Sequence, residues 1–387
     1  MKNKKYSLLI IALYCYPGHV KAVVDHLKAR NPLVDITLLT EKSDKFKNIL
    51  ADRSVKIESY DVKPVNCKYR WLRFLMIKHK QRKFFSLFCK NKKYDIVNIH
   101  FANRYMSYVY NYLRSMTDNL VLTPWGSDIL RRDSIALKQL SKIYNLSDYV
   151  ATSSKTILGR KIIEDLKVSP NKFVGNFFGS DVIDYAVKNN NTITQEEAKK
   201  TFGIQDRFVI TCGYNGIINQ RHKEIITAIG VVKDRLPQNL TLLFPMTYIK
   251  HKIGDYVGEC QEECEKRGID AIFLTDYLSV EDVYKMRMAT DIFVHIQTTD
   301  AGSATIQEYI LCDKKIVHGS WLKNDELETF QPLFYFPVEN LEELGEVIVK
   351  AYNSENIEIP QGVIDYVKCN GWESKATQMN DFFMSIV

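Results

Sequence analysis

The sequence contains no apolar run near the roughly 18–20 residues that a membrane-spanning helix requires. Its opening, Met1-Lys2-Asn3-Lys4-Lys5 before Tyr6–Tyr16, has the outline of a signal peptide. The apolar part is short, however, and leads into Tyr16-Pro17-Gly18-His19 without a small-residue cleavage site, so a first buried strand is expected there. Glycine and proline are sparse, 17 and 10 in 387 residues, which excludes collagen-like and low-complexity chains. Solenoid repeats are also missing. The eight cysteines include Cys260 and Cys264 on an expected helix, with no His or Cys partner at zinc spacing. Reduced, structural thiols in a cytosolic protein are expected. There is no Walker loop, no His-Glu-x-x-His, no Ser-His-Asp signature, no convincing Gly-x-Gly-x-x-Gly after the first strand and no Asp-x-Asp at a strand end. These absences exclude the common phosphate-loop, zinc-protease and serine-hydrolase chemistries.

What is present is an ordinary globular composition, 45% apolar and 26% charged, in a chain too long for one core. Short apolar runs alternate with helical patterns: Ser7–Leu13, Asp35–Thr40, Asp95–His100, Asn119–Thr123 and Tyr149–Ser153 read as strands. A second set follows at Phe208–Cys212, Leu240–Pro245, Ala271–Leu274, Asp291–Ile296 and Lys315–Val317. Helices are expected between them, including Tyr105–Ser115 and Ser279–Met288, the latter capped at Ser279-x-x-Asp282. Fully apolar strands in βα alternation point to parallel sheets wrapped by helices. The expected architecture is α/β, two doubly wound Rossmann-like domains facing each other across a cleft. The divisions are 1–175, a linker at 176–200 where the pattern weakens, 201–370, and a last helix at 371–387.

Polar residues gather after the strands, where ligands of such sheets bind. In the first half these are Gly18-His19, His100, and Trp125-Gly126-Ser127-Asp128. In the second they are Gly213-Tyr214-Asn215-Gly216, leading to Arg221 and Lys223, then Met246 after the next strand, and Asp300-Ala301-Gly302-Ser303. Gly213 and Gly216 allow close backbone approach, and Arg221 and Lys223 can neutralise a diphosphate. A tight turn with surface charge is the plain alternative. Asp300 and Glu308 bracket a helix start, which attracts anions. Together they describe a nucleotide-sugar site. Thr305-x-x-Glu308 also fits a capping box, and Asp300 a local turn. His100 reads equally as a packed histidine, and Asp128 as an N-cap for Ile129–Arg132.

The net charge of +7 is uneven. Lys68–Lys93 holds ten Lys or Arg and no acid, interleaved with Tyr69, Trp71, Phe74, Phe84, Phe85 and Phe88. Such a segment suits an anionic membrane surface. A solvated helix face with core aromatics is the alternative, and nucleic acid is not expected as a partner.

These residues resemble the GT-B glycosyltransferases, especially the retaining family 4 group, over nearly the whole chain. Asp300-x7-Glu308 is similar to that family's Glu-x7-Glu, with the first acid altered. Ala289–Val294 resembles the strand before it, Lys315-Ile316-Val317 the strand after it, Trp125-Gly126-Ser127-Asp128 the His-Gly-x-Asp loop, and Trp372-Glu373 the start of the last helix. Asn219-Gln220-Arg221-His222 and Pro245-Met246-Thr247-Tyr248 are similar to donor loops of bacterial fucosamine-type transferases. The usual Gly-Arg-Leu…Lys-Gly is absent. The resemblance implies that Glu308 binds donor ribose and Asp300 the transferred sugar, with Arg221, Lys223, Gly302 and Ser303 on the diphosphate. Asn215, Gly216 and Met246 complete the donor side. Gly18, His19, Trp125 and Ser127 would lie on the acceptor side, with His100 or Asp128 orienting or deprotonating the acceptor hydroxyl. It implies no metal and no resident cofactor, a nucleoside-diphosphate sugar as co-substrate, and a glycan or lipid-linked acceptor. A cytoplasmic location is expected, with Lys68–Lys93 as the segment that could hold the chain peripherally at the inner face of the plasma membrane. Family 4 implies retention of configuration; the fucosamine-type similarity allows inversion. A sugar-nucleotide epimerase or hydrolase, or a non-catalytic nucleotide-sugar or glycan binder, are the alternative readings.

Overall fold

A computed structural model describes residues 4–13, 15–41, 54–60, 65–189, 192–247, 255–302, 304–322, 325–330, 335–355 and 358–387. The chain forms two compact units, Met1–Phe178 with Glu373–Val387, and Gly179–Trp372.

The first unit holds a parallel sheet of β1 (Ser7–Ala12), β2 (Asp35–Glu41), β3 (Lys56–Tyr60), β4 (Ile96–His100), β5 (Leu120–Thr123) and β6 (Tyr149–Val150). Their order is β3-β2-β1-β4-β5-β6. The second holds β7 (Phe208–Cys212), β8 (Leu240–Pro245), β9 (Asp270–Leu274), β10 (Ile292–His295), β11 (Lys315–Gly319) and β12 (Phe336–Val338) in the order β12-β11-β10-β7-β8-β9. Both are doubly wound, as the apolar runs require. β4, β5, β8 and β10 are buried along their whole length, which only a sheet covered on both faces provides. Each fully buried Val, Leu or Ile contributes about 1.5–3 kcal/mol of apolar transfer. Each order reverses once, between β1 and β4 in the first unit and between β10 and β7 in the second. Loops leaving such a strand pair turn to opposite faces and open a crevice at the carboxyl ends.

Several sequence expectations change. Tyr105–Ser115 is not one helix: a 3-10 turn at Met106–Tyr108 and a short helix at Tyr110–Arg114 are separated by Val109, which leaves helical geometry. The strand expected at Tyr149–Ser153 stops at Val150, where Thr152 N–H turns back to the Val150 carbonyl at 3.0 Å. Within 176–200, read as linker, the helix Asp181–Lys188 is capped by Ser180. The helix Gln195–Thr201 begins there with a Thr194–Glu197 capping box. Local caps, rather than apolar periodicity, start these helices. Ile129–Arg132 forms turns rather than a helix, with Ile129 and Leu130 N–H both bonded to the Gly126 carbonyl. Ser279 does cap Val280–Ala289, accepting from Asp282 N–H at 3.1 Å.

The basic segment forms the helix Arg70–Phe88. Its aromatics divide. Phe85 and Phe88 are buried and Phe74 packs on Tyr105, whereas Tyr69, Trp71, Leu72, Leu75 and Met76 are exposed. Arg73, Lys80, Arg82 and Lys83 are exposed on the same helix. No helix among the described residues is long and apolar enough to cross a membrane.

Candidate functional site

In the second unit the loops at the switch point follow β7 and β10. After β7, Gly213 takes φ +65°, and a side chain there would meet Gln220 Oε1 at 2.8 Å. Asn215 Oδ1 accepts Ile217 N–H at 3.0 Å, shaping the turn around buried Gly216. The loop closes on itself where Tyr214 N–H donates to Gln220 Oε1 at 3.2 Å. It is tied to the β10 loop by Gln220 Nε2 donating to Gln297 Oε1 at 2.8 Å and by Thr298 N–H donating to the Asn219 carbonyl at 3.0 Å. Arg221 stands in the left-handed region at φ +61°, its guanidinium 5.1 Å from the Trp321 ring. Trp321 Nε1 in turn donates to the Gln297 carbonyl at 2.8 Å.

Asp300 lies in the β10 loop, with Oδ2 3.2 Å from His295 Nε2. The β10–β11 register places His295 opposite His318, and their Nδ1 atoms are 3.0 Å apart. Burial pushes the His318 pKa down to about 3, with His295 adding to the shift. Asp300 therefore closes a buried imidazole chain. Gly302 is exposed at φ +85°, and Ser303 lies outside the described residues.

Glu308 is not a helix cap. Thr305 lies inside the helix Ala304–Leu311, so the capping box read there does not form. The Glu308 carboxylate instead accepts Ser180 Oγ at 2.8 Å and Arg287 Nε at 3.1 Å, and both side chains of the Arg287 pair are buried. Arg287 also donates to Tyr309 Oη at 3.1 Å. Two donor-side residues are placed away from the loops. Lys223 makes an exposed ion pair with Glu259 at 2.6 Å, and Met246 is fully buried in the apolar core. Lys223 follows a helix face that turns outward, and Met246 continues β8 by bonding the Leu274 carbonyl.

In the first unit the switch point brings together the β1 and β4 loops. Gly18 is in the first turn of the helix Pro17–Arg30, and exposed His19 packs edge-on against Tyr16 and Trp125, each at 5.4 Å. His100, at the end of β4, is buried. Trp125 Nε1 lies 3.3 Å from His100 Nδ1 and Asn98 Nδ2 lies 3.1 Å from Nε2; both neighbours are donors, so a neutral ring accepts from one of them only. Asp128 is fully buried; Oδ1 accepts Trp125 N–H at 2.9 Å, and Oδ2 has no hydrogen-bond partner. Gly126, at φ +96°, lets the loop fold back over it, with half-buried Ser127 between. Asp128 organises the Trp125–Ser127 turn, while Trp125 and His19 form the outward surface.

Burial pushes Asp128 up from its ordinary 3.8 to about 7, against hydrogen bonds that pull it down. Burial also pushes His100 down from 6.5 to about 3. The folded state holds the Asp128 proton more tightly than the unfolded chain, so this group's stabilisation is lost as pH rises through about 7. His100 acts in the opposite sense: its stabilisation is full above 6.5 and is lost as pH falls toward 3. The two slopes oppose each other in the weakly acidic range. Asp128→Asn should therefore make stability fall more steeply on acidification than in the native chain. Urea denaturation at several pH values between about 4.5 and 6.5 tests this; parallel slopes would show that the Asp128 carboxyl does not retain its proton.

Sequence reading missed Arg287, Ser180, His295, His318 and Gln297, and named Gln220 only as part of a donor-like loop. Arg287 lies in the helix expected at Ser279–Met288, where nothing in the local spacing marks a buried cation. The two histidines become partners only through strand register.

No protein-family model matches the chain, and no curated protein sequence matches it. Solved structures do. A glycosyltransferase from Rickettsia africae has 13% identity over 99% of each chain, with a TM-score of 0.68. Anabaena HepE, determined with UDP and glucose, has 14% identity over 99% of this chain and 100% of that one, with a TM-score of 0.67. The lipopolysaccharide outer core galactosyltransferase WaaB has 11% identity over 98% and 100%, with a TM-score of 0.65. At such identities the likeness is one of fold, and the fold is GT-B: two Rossmann-like units with six-stranded parallel sheets.

Proposed function

We propose that this GT-B chain is a glycosyltransferase that moves a hexosyl group from a nucleoside-diphosphate donor to a lipid-linked or polysaccharide acceptor in bacterial surface glycan synthesis. The observation that carries the reading is the second unit's switch point. There Gly213, Asn215, Gly216 and Arg221 adjoin Asp300 and Gly302, two loops tied together by Gln220 and Gln297. Arg221 and backbone N–H groups would offset charge growing on the leaving diphosphate. Asp300 would accept hydroxyls of the transferred sugar. Glu308 would meet the ribose after exchanging its Ser180 bond. UDP in the HepE structure supports a nucleoside-diphosphate ligand for this fold. The first unit would hold the acceptor, against His19 and Trp125. His100 and Asp128 would act there by positioning, because both are buried. Retention of configuration and a metal-independent mechanism follow from the family 4 resemblance.

A thermal-shift screen against UDP-, GDP- and dTDP-sugars tests the donor, since a ligand of the native state raises its stability. Product analysis with donor alone separates transfer from hydrolysis or epimerisation. Donor affinity without turnover across an acceptor panel would make the chain a binder.

The exposed Trp71, Leu72, Leu75 and Met76, beside Arg73 and Lys80, would place the enzyme on the anionic inner face of the plasma membrane. Flotation with anionic liposomes should decline steeply from about 0.1 to 1 M salt, as screening shortens. Trp71→Ala with Leu75→Ala should lower it further. Recovery in the soluble fraction at every salt concentration would refute this placement.

A further inference from the structure

The helix His222–Val232 begins at the switch-point loop, and its first residue is a buried histidine that nothing in the proposed site uses. Neither His222 Nδ1 nor Nε2 has a hydrogen-bond partner. The ring is held by apolar contact, 5.7 Å from both Phe244 and Tyr256. Orphaned buried nitrogens are uncommon and call for an explanation. Arg221, the residue before the helix, offers no side-chain cap, and the His222 N–H is taken by the Tyr256 hydroxyl. The N–H groups that follow it and the helix dipole favour an anion. The one acid in the first turn, Glu224, is exposed.

Gly213 connects these observations. A side chain there would lie 3.1 Å from His222 Nε2 and 2.8 Å from Gln220 Oε1. Glycine at φ +65° thus leaves the Gln220 side chain as the group lying between the loop and Nε2, which a ligand would have to displace. Arg221 stands at the same corner.

We infer that His222 donates a hydrogen bond to a phosphate oxygen bound at the start of the helix His222–Val232, beside Gly213 and Arg221. It takes the place that the sequence assigned to Lys223, which points instead to Glu259. The ring is neutral, since burial pushes its pKa down to about 3, so it carries one N–H to give. The loop Gly213–Gln220 must part for the anion to reach it. The inference rests on the donor reading for the anion's identity, a diphosphate, but not for the anion site itself.

The test uses the full chain with inorganic pyrophosphate, followed by calorimetry, in the native protein, His222→Phe and His222→Gln. Phenylalanine keeps the ring's shape and removes both nitrogens; glutamine keeps a donor. His222→Phe should weaken pyrophosphate binding about tenfold or more, and His222→Gln should recover part of the loss. Without ligand, His222→Phe should melt about 2–4 °C higher, because the orphaned nitrogens are gone. Unchanged affinity in His222→Phe, or no pyrophosphate binding by the native chain, would overturn the inference. Pyrophosphate behaving as expected while no sugar nucleotide binds would leave the anion site standing and remove the glycosyltransferase reading. Sugar transfer undiminished in His222→Phe would overturn the assignment of His222 to the donor diphosphate and leave the glycosyltransferase reading standing.

Discussion

Arg287→Leu is expected to cost about 3–5 kcal/mol of unfolding free energy, the range for breaking a buried ion pair from one side. Both partners are buried, at 4% exposure for Arg287 and 6% for Glu308. The guanidinium makes three contacts, two with Glu308 and one with Tyr309, each at 3.1 Å. Leucine would leave the carboxylate with Ser180 as its hydrogen-bonding neighbour, too little to offset the lost solvation. A melting point about 10 °C lower should follow. Hydrogen exchange in the helix Ala304–Leu311 should locate the loss. Arg287→Leu combined with Glu308→Leu should recover most of it, because an apolar pair can replace a buried ionic one. A loss below about 1 kcal/mol would place the pair in the range of solvated surface pairs. The result also bears on function. A carboxylate held this firmly by Arg287 is pre-oriented, and under the proposed function a ligand hydroxyl would displace only the Ser180 bond.

Arg221→Gly should have the opposite profile: little effect on stability and a large effect on transfer. Arginine occupies a left-handed backbone position at φ +61°, where glycine fits without steric cost. The greater freedom of glycine in the unfolded chain offsets that relief, so stability should stay within about 1 kcal/mol. Removing the guanidinium takes away the charge nearest the proposed leaving group. Turnover of a nucleotide sugar should fall about 10²–10³-fold, as for loss of one preorganised transition-state donor. Steady-state rates beside a urea melt would check both halves. A rate within a few-fold of the native chain would remove Arg221 from the proposed site and leave its Trp321 contact as its role.

The two predictions differ in how far the sequence exposes them. Arg221 follows a strand and a glycine-bearing loop, so its position is legible from local pattern. Arg287 sits in an unremarkable helix and becomes important through a partner 21 positions away. His295 and His318 show the same limit, since they meet through the pairing of β10 with β11. Glu308 was visible as an acid near a helix start, but whether it capped, bound or paired depended on where Arg287 and Ser180 lay. Met246, buried in the core, and Lys223, paired with Glu259, show a related limit. Position after a strand says that a residue is near the crevice, not which way its side chain turns. The helices beginning at Asp181 and Gln195 were legible in principle, because Thr194 and Glu197 spell a capping box that a search for apolar periodicity passes over.

By itself the sequence determined the apolar strands, their alternation with helices, and so two parallel, doubly wound sheets. Those features follow from local burial and chain geometry, which periodicity records. It also determined which loops follow which strands. The tertiary structure decided which strands adjoin at the reversal of each sheet, and so that the loops carrying Gly213, Arg221 and Asp300 leave neighbouring strands. It decided as well that Glu308 is paired, that Asp128 and His100 are buried, and that His222 is left without a partner. Partner choice among buried polar groups is set by contacts between residues far apart in the chain, and no local pattern carries that information.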